Sequence, residues 1–438
     1  MTHTPSLPFR RGRRLTVTAL VSSLTLGAAL LPAAAASAEA PTPPTPACPQ
    51  ATAVVGFPIP GDPILPEPTP NLGVTITGAL PAGLSLHADA TRAYLYGTPT
   101  RAETATFTIS AVLGVDGSPV TVSTDCTMKV KPKPKVTRIA GADRYDQSAK
   151  VSRATYDSAG TVYIASGEKF ADALSGSSVA AHHDAPLLLT PAAAVTTGVL
   201  DEIARLAPKN VVVVGGPASV SDAVLGQLAA LTGKPTVTRI TGADRFEVSR
   251  NLIGDTDFGI AKSDAVYIAA GATFPDALGA SPVAAKIDAP VLLVNGGAST
   301  LSTAETATLT ALGATKATVV GGPASVSPAL VTALATKYTT TRVDGEDRFK
   351  VNGELNRTAF TSADRLYVAS GTVFSDALSG GAAAGMQESP LYISPKECFA
   401  YEAYYAVGRL APDEIIILGG TATLDPAVEN MTRCPGDR

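Results

Sequence analysis

"VVVVGGPASVSDAV", residues 211–224, passes from strand to turn to helix in a single short run. Four β-branched residues make a strand buried on both faces, two glycines break it, and a serine-rich segment opens a helix. The chain repeats the pattern as "ATVVGGPASVSPAL" at 317–330 and "IIILGGTATLDPAV" at 415–428. Each copy is preceded by the same blocks in the same order. "RIAGADRY" at 138–145 returns as "RITGADRF" at 239–246 and "RVDGEDRF" at 342–349. "YIASGEKFADALSG" at 163–176 returns as "YIAAGATFPDALGA" at 267–280 and "YVASGTVFSDALSG" at 367–380, and "APLLLT" at 185–190 as "APVLLV" and "SPLYIS". Short apolar runs alternating with helical ones predict βαβ units, hence parallel sheets with helices on both faces.

Together these blocks resemble the cell wall binding repeat 2 family of exported Gram-positive surface proteins, in three copies at 136–235, 236–338 and 339–438. The resemblance implies three flavodoxin-like or Rossmann-like α/β units in a pseudo-threefold arrangement, holding the protein noncovalently to an anionic cell-wall polymer. The family's proline-apolar-leucine motif falls on Pro186-Leu187-Leu188-Leu189 and Pro290-Val291-Leu292-Leu293. The third copy departs from it with Pro390-Leu391-Tyr392-Ile393 and then adds "KECFAYEAYYAV". A repeat of this length is long enough to fold alone, so triplication is read as avidity from several weak sites on one polymer.

The first 38 residues read as a secretory signal peptide: Arg10, Arg11, Arg13 and Arg14, an apolar run from Leu15 to Leu31, and the cleavage site Ala36-Ser37-Ala38. A Pro-rich spacer at 39–47 leads to short alternating strands at 48–130. There Val120, Val122, Cys126, Met128 and Val130 share one parity, as in a half-buried strand. "LPAGLSLHADATRAYLYGTPT" resembles the Ig-like family of bacterial surface proteins, which implies an all-β sandwich acting as spacer or adhesive module. The Lys/Pro run at 131–135 reads as a stiff, solvated linker. Four cysteines suit an exported chain, and pairing Cys48 with Cys126 and Cys398 with Cys434 keeps each bridge inside one domain. The net charge is −4, and because the leader holds four arginines and no acid, the remainder carries −8. Bulk charge therefore disfavours nucleic acid, and an anionic polymer has to be held locally.

Three groups of residues are candidates for function. Gly215, Gly216, Gly321, Gly322, Gly419 and Gly420 permit positive φ and close backbone approach; they serve a structural turn, an anion site or an interface between copies. No Lys-Ser/Thr follows them, which excludes a P-loop. Asp143, Asp244 and Asp347 stand where a helix needs an N-cap, and Glu247 adds capping-box spacing. Arg144, Arg245 and Arg348 follow them at the positive end of a helix dipole, which demands a carboxylate or an anionic ligand opposite. The expected partners are Asp172, Asp276 and Asp376, themselves expected to cap the next helix. The strand ends Ser166-Gly167, Ala270-Gly271 and Ser370-Gly371 mark the sheet edge where α/β folds bind ligands.

His182-His183-Asp184 is replaced by "KID" and "QES" in the other copies, so it lies outside what the repeat does and reads as an exposed helix end. No hydrolase or metal motif occurs, and the absence of Trp leaves Tyr401, Tyr404 and Tyr405 as aromatic surface. The expectation is a noncatalytic, secreted cell-wall protein with no cofactor, no metal and no transmembrane segment after signal cleavage. Its Ig-like module would be displayed to a host or surface partner. The competing classes are a wall hydrolase or nucleotide-binding enzyme using a sheet edge, and an adhesin acting through the Ig-like module.

Overall fold

The computed structural model describes residues 42–435 apart from 60, 62, 116, 117 and 274; the signal peptide lies outside the described residues. The chain divides into Met1–Thr42 and Pro43–Arg438, and the strands and helices of the described residues all belong to the second unit. No helix among the described residues is long and apolar enough to cross a membrane.

Each copy runs through an opening strand, an opening helix, a central strand, an axial helix, an edge strand, an outer helix, a glycine strand and a last helix. The sheets divide the chain differently from the sequence period. The first holds, side by side, Thr236–Ile240, Asn210–Val214, Thr161–Ser166 and Leu187–Thr190, all parallel. Its outermost strand is thus the opening strand of the second copy. The second sheet likewise takes Thr339–Val343 from the third copy, beside Lys316–Val320, Ala265–Ala270 and Val291–Val294. The third takes Lys135–Ile139 from the first, with Ile415 opposite Val136, beside Glu414–Leu418, Arg365–Ser370 and Leu391–Ser394. Each copy completes the sheet of the one before it, and the ring closes.

The axial helices Phe170–His182, Pro275–Ala285 and Phe374–Met386 pack together at the centre. Their apposed faces are small: a Cβ on Gly381 would lie 3.5 Å from the Cβ atoms of both Ser177 and Ser281, and the Ser177 hydroxyl donates to the Leu378 carbonyl at 2.7 Å. One continuous cluster of buried residues runs through all three copies. With shared sheets and a shared core, a single copy lacks a strand and exposes its axial helix. The expectation that a repeat could fold alone therefore does not describe this architecture, and triplication is a structural requirement of it.

Upstream, Thr52–Val54, Ser118–Lys131, Glu103–Val115 and Asn71–Gly78 form a four-stranded sheet in that order, and Leu84–Ala88 with Ala93–Gly97 a hairpin. They enclose a core of their own that includes Ile64, Leu95, Ile109 and Met128. Cys48 is bonded to Cys126 and Cys398 to Cys434.

This β unit rests on the outer helix Tyr401–Leu410 of the third copy. Gln50 Nε2 donates to the Gly408 carbonyl at 2.9 Å, the Tyr404 hydroxyl to the Gly56 carbonyl at 3.2 Å, and the Phe57 and Tyr404 rings lie 4.9 Å apart. The expectation of a fully solvated linker at 131–135 does not hold. Lys131 is bound to the Ala411 carbonyl and the Asp413 carboxylate, each at 2.9 Å, and Lys135 lies 3.5 Å from Glu414. The docked β unit lays the lysines along acidic residues of the third copy, a pairing that no local pattern announces.

Candidate functional site

The strand ends of all three copies carry one construction. At the glycine strand's end, Gly215, Gly321 and Gly419 adopt φ of +114°, +103° and +107°, a region closed to most side chains. A Cβ on Gly215 would come within 2.6 Å of the Asp172 carboxylate, and Gly321 and Gly419 crowd Asp276 and Asp376 in the same way. Each carboxylate takes a hydroxyl hydrogen bond from the segment after the glycines: from Ser219, from Ser325 at 2.6 Å, and from Thr423 at 3.3 Å. The second glycines differ, for Gly322 and Gly420 face open space. The first glycine of each pair is thus a packing necessity; Gly322 and Gly420 are free of one, whereas a Cβ on Gly216 would meet Thr241 Oγ1 at 3.0 Å.

Asp172 and Asp376 are not N-caps. Their helices are capped at Lys169 and Val373 without a side-chain bond, which puts the carboxylates a turn inward, against the glycine turn. Burial pushes the Asp376 carboxyl up to about 6, against hydrogen bonds from Thr423 and Ser375 that pull it down. Burial raises Asp172 in the same direction.

Asp143, Asp244 and Asp347 do sit at N-caps, each accepting two backbone N–H groups of the first turn. Glu247 reaches back one residue further than a capping box requires, accepting from the Ala243 N–H at 2.7 Å. The following arginines form no ion pair within their own copies with Asp172, Asp276 or Asp376, contrary to expectation. Instead Arg144, Arg245 and Arg348 donate through Nη1 to the carbonyls of Gly167, Gly271 and Gly371, at 2.5, 2.7 and 2.8 Å. The next residue in each block, Tyr145, Phe246 or Phe349, packs on the same glycine. Asp, Arg and aromatic ring therefore act together to fix the central strand's end.

The arginines also reach between copies. The Arg144 guanidinium lies 5.6 Å from the centre of the Phe374 ring of the third copy, and Arg245 lies 5.7 Å from that of Phe170 of the first. The carboxylates they influence are accordingly those of the neighbouring copy: Arg144 lowers Asp376 and Arg245 lowers Asp172. Between copies one and two this leaves a cavity of about 370 Å³, with Glu168, Lys169, Phe170, Asp172 and Ser219 on one side and Asp244 and Arg245 on the other. Gly216 also lines it.

Sequence reading missed a second arginine series. Arg138, Arg239 and Arg342, on the opening strands, donate to the carbonyls of Gly419, Gly215 and Gly321 in the preceding copy's sheet, at 2.9, 2.7 and 2.6 Å. Their recurrence ahead of each Gly-Ala/Glu-Asp-Arg block was the available signal. The proline-apolar-leucine stretches are buried edge strands in all three copies. Their backbone is capped by side chains: Leu189 N–H donates to Ser148 Oγ at 3.0 Å, Leu293 N–H to Ser249 Oγ at 3.1 Å, and Ile393 N–H to Asn352 Oδ1 at 2.9 Å. The motif's apolar side chains thus serve the core, including in the third copy. His182 and His183 close a helix against the second copy, meeting the Asp288 carboxylate at 2.9 Å and the Gly259 carbonyl at 2.8 Å. Among the described residues no cluster of three or more His, Cys, Asp or Glu side chains could hold a metal.

An architecture of this kind makes the molecule a triplicate of α/β modules, interlocked by strand exchange, with arginine-aromatic contacts joining the first copy to the second and to the third. The chain belongs to the cell wall binding domain 2 family, whose pattern residues 138–225, 239–331 and 342–429 match. It is 27% identical over 300 residues to the N-acetylmuramoyl-L-alanine amidase LytC of Bacillus subtilis, covering 68% of this chain and 58% of the relative. To the Amidase enhancer of the same organism it is 26% identical over 294 residues, covering 67% and 39%. The chain thus spans about half the length of these curated relatives, and the matched region is their wall-binding part. Among solved structures, Cwp6 from Clostridium difficile shares the fold with a TM-score of 0.61 at 19% identity, over 89% of this chain and 68% of that one. Cwp8 from the same organism does so with 0.60 at 21%, over 76% and 59%. By its family the protein is cell-wall-associated, at the surface or secreted.

Proposed function

We propose that the protein is exported and anchored noncovalently to an anionic cell-wall polymer through the junctions of its three α/β copies. In this reading it displays its N-terminal β unit, an Ig-like module, without itself being an enzyme. The observation that carries the reading is the junction between copies one and two. A cavity within the size range of small-molecule sites opens there at the strand ends, with Lys169 and Arg245 beside it. Of the three carboxylates that line it, Asp244 is engaged by helix N–H groups, Asp172 by Ser219, and Glu168 accepts from the Ala192 N–H at 3.4 Å, while Lys169 and Arg245 keep N–H groups beyond those they donate to the Ala218 and Gly271 carbonyls. The amidase relatives lend no catalysis, because they are matched in their wall-binding part.

The test is retention on purified walls with and without their anionic polymers, using wild type and the triple variant Arg144→Gln, Arg245→Gln, Arg348→Gln. Wild type should bind intact walls and lose binding on stripped ones, with salt weakening it. The triple variant should bind much less than any single one while keeping a native circular-dichroism spectrum. Undiminished binding of wild type to stripped walls would refute the reading.

A further inference from the structure

The outer strand of a sheet carries unpaired N–H and C=O groups that accept any extended chain, so proteins keep such strands short, charged, broken by proline or covered. In the described sheets the outer strands are mostly short, at three to five residues. Asn71–Gly78, the outer strand of the β unit, has eight, and its sequence "NLGVTITG" contains no charge and no proline. A bulge between Asn71 and Gly73 interrupts its pairing with Glu103–Val115 only at the start. The Asn71 N–H goes to the Ala90 carbonyl at 3.0 Å, but among the described residues nothing bonds to the outer side of Leu72–Gly78. Leu72 is 70% exposed, more than any other large apolar side chain described, and Thr75 and Thr77 are exposed with it.

This edge is complementary to itself. Two such strands running antiparallel, with Thr75 of one opposite Thr75 of the other, set Val74 against Ile76, Gly73 against Thr77 and Leu72 beside Gly78. Apolar side chains then meet on the inner face and threonines on the outer, and no charge faces a like charge. The chain's own Pro-rich stretch at 39–47 is a poor occupant, because Pro41, Pro43, Pro44 and Pro46 have no N–H to place in a ladder. At the far edge of the same sheet, Thr52–Val54 lies against the helix Tyr401–Leu410. No further strand can add on that side, so self-pairing closes at two copies instead of growing into a filament.

We propose that Asn71–Gly78 is a self-association edge, through which two copies of this chain join their four-stranded sheets across a two-fold axis. The β unit is held on the third copy through Gln50, Tyr404 and Lys131, so the pairing orients two α/β rings relative to each other and does more than tether them. This holds whatever the rings bind. A dimer presents that ligand with two rings at once, and avidity follows without any new contact.

The experiment is sedimentation velocity over a range of concentrations, on the chain from residue 39 onward, for wild type, Thr75→Lys and Thr121→Lys. Wild type should show a reversible equilibrium of monomer and dimer. Thr75→Lys sets two ammonium groups face to face at the two-fold axis and should raise the dimer Kd by at least about tenfold, with an unchanged melting temperature. Thr121→Lys adds the same charge to the same exposed face, two strands in from the edge, and should dimerise like wild type. Thr75→Cys tests the register on its own. The four native cysteines are paired, so oxidation should link two chains through the new thiol, while Thr121→Cys should stay unlinked. A wild type that is monomeric up to its solubility limit overturns the proposal, and leaves the edge to a strand of some other protein. A dimer that persists in folded Thr75→Lys overturns it too, as do species that keep growing with concentration. Should Thr75→Lys melt below wild type, the cysteine variants decide, and absence of the Thr75→Cys link overturns the proposal.

Discussion

Gly215 and Asp172 share one space: a Cβ on the glycine would stand 2.6 Å from the carboxylate, and the glycine's φ is +114°. The same relation holds between Gly321 and Asp276, where the next glycine, Gly322, faces nothing within 4 Å. That turn contains its own control. Gly321→Ala should destabilise by about 1–3 kcal/mol, from overpacking and a disfavoured φ. Gly322→Ala should be neutral or stabilise by up to about 1 kcal/mol, by restricting the unfolded chain. Urea unfolding of both variants checks this, and equal effects would refute the packing role.

Stability should also carry the signature of Asp376. Its carboxyl is pushed up to about 6 from an ordinary 3.8, chiefly by burial, so the folded protein holds this proton more tightly than the unfolded chain. The stabilisation from protonation is complete below about 3.8 and lost as pH rises through about 6. Over that window it amounts to roughly 3 kcal/mol at most. Asp376→Asn removes the titration. The stability difference between wild type and variant should therefore shift in the variant's favour from pH 4 to pH 7. A difference that does not change with pH would show that burial leaves the carboxyl unshifted.

Much of this was legible because it is local. Repeated blocks, strand–helix alternation and the Asp143, Asp244 and Asp347 caps depend on residues a few positions apart, and recurrence three times separates pattern from chance. What escaped depends on which strand lies beside which. Lys135–Ile139 looks like the first strand of its own copy, yet it pairs with Glu414–Leu418. For the same reason Arg138 and Gly419, at opposite ends of the repeat region, could not be matched from spacing. A helix start calls for a carboxylate or an anionic ligand opposite Arg144 and Arg245, yet backbone carbonyls and a neighbour's ring are what meet them within the fold.

The β unit should come away from the third copy in Gly408→Val. A side chain at this position runs into the Pro58 carbonyl, and Gln50 would lose its bond to the Gly408 carbonyl. Valine is no poorer a helix former than glycine, so the helix itself should survive. The variant should show faster protease cleavage near 131–135 and faster hydrogen exchange at Thr52–Val54, with both disulfides intact. Unchanged cleavage would mean that the remaining contacts, including Lys131 to Ala411 and Asp413, suffice to hold the unit.

Ring closure makes the last prediction. Lys135–Ile139 covers the outer edge of Glu414–Leu418, and Arg138 adds bonds to the Gly419 carbonyl and to Glu429, the latter at 2.9 Å. Removing the strand leaves a parallel sheet with an open row of backbone donors and acceptors, the arrangement that recruits strands from other molecules. It also leaves the Arg138 acceptors unmet. Two truncated chains separate this effect from loss of the β unit. One starting at residue 131 keeps the closing strand and should remain monomeric, with a melting temperature near that of the full chain. One starting at residue 141 should melt several degrees lower, as a loss of about 2 kcal/mol would require, and should associate by light scattering in proportion to concentration. The difference between the two chains isolates the strand, because the β unit is missing from both. Equal stability and a monomeric state in both would show that the three copies hold together through the axial helices alone.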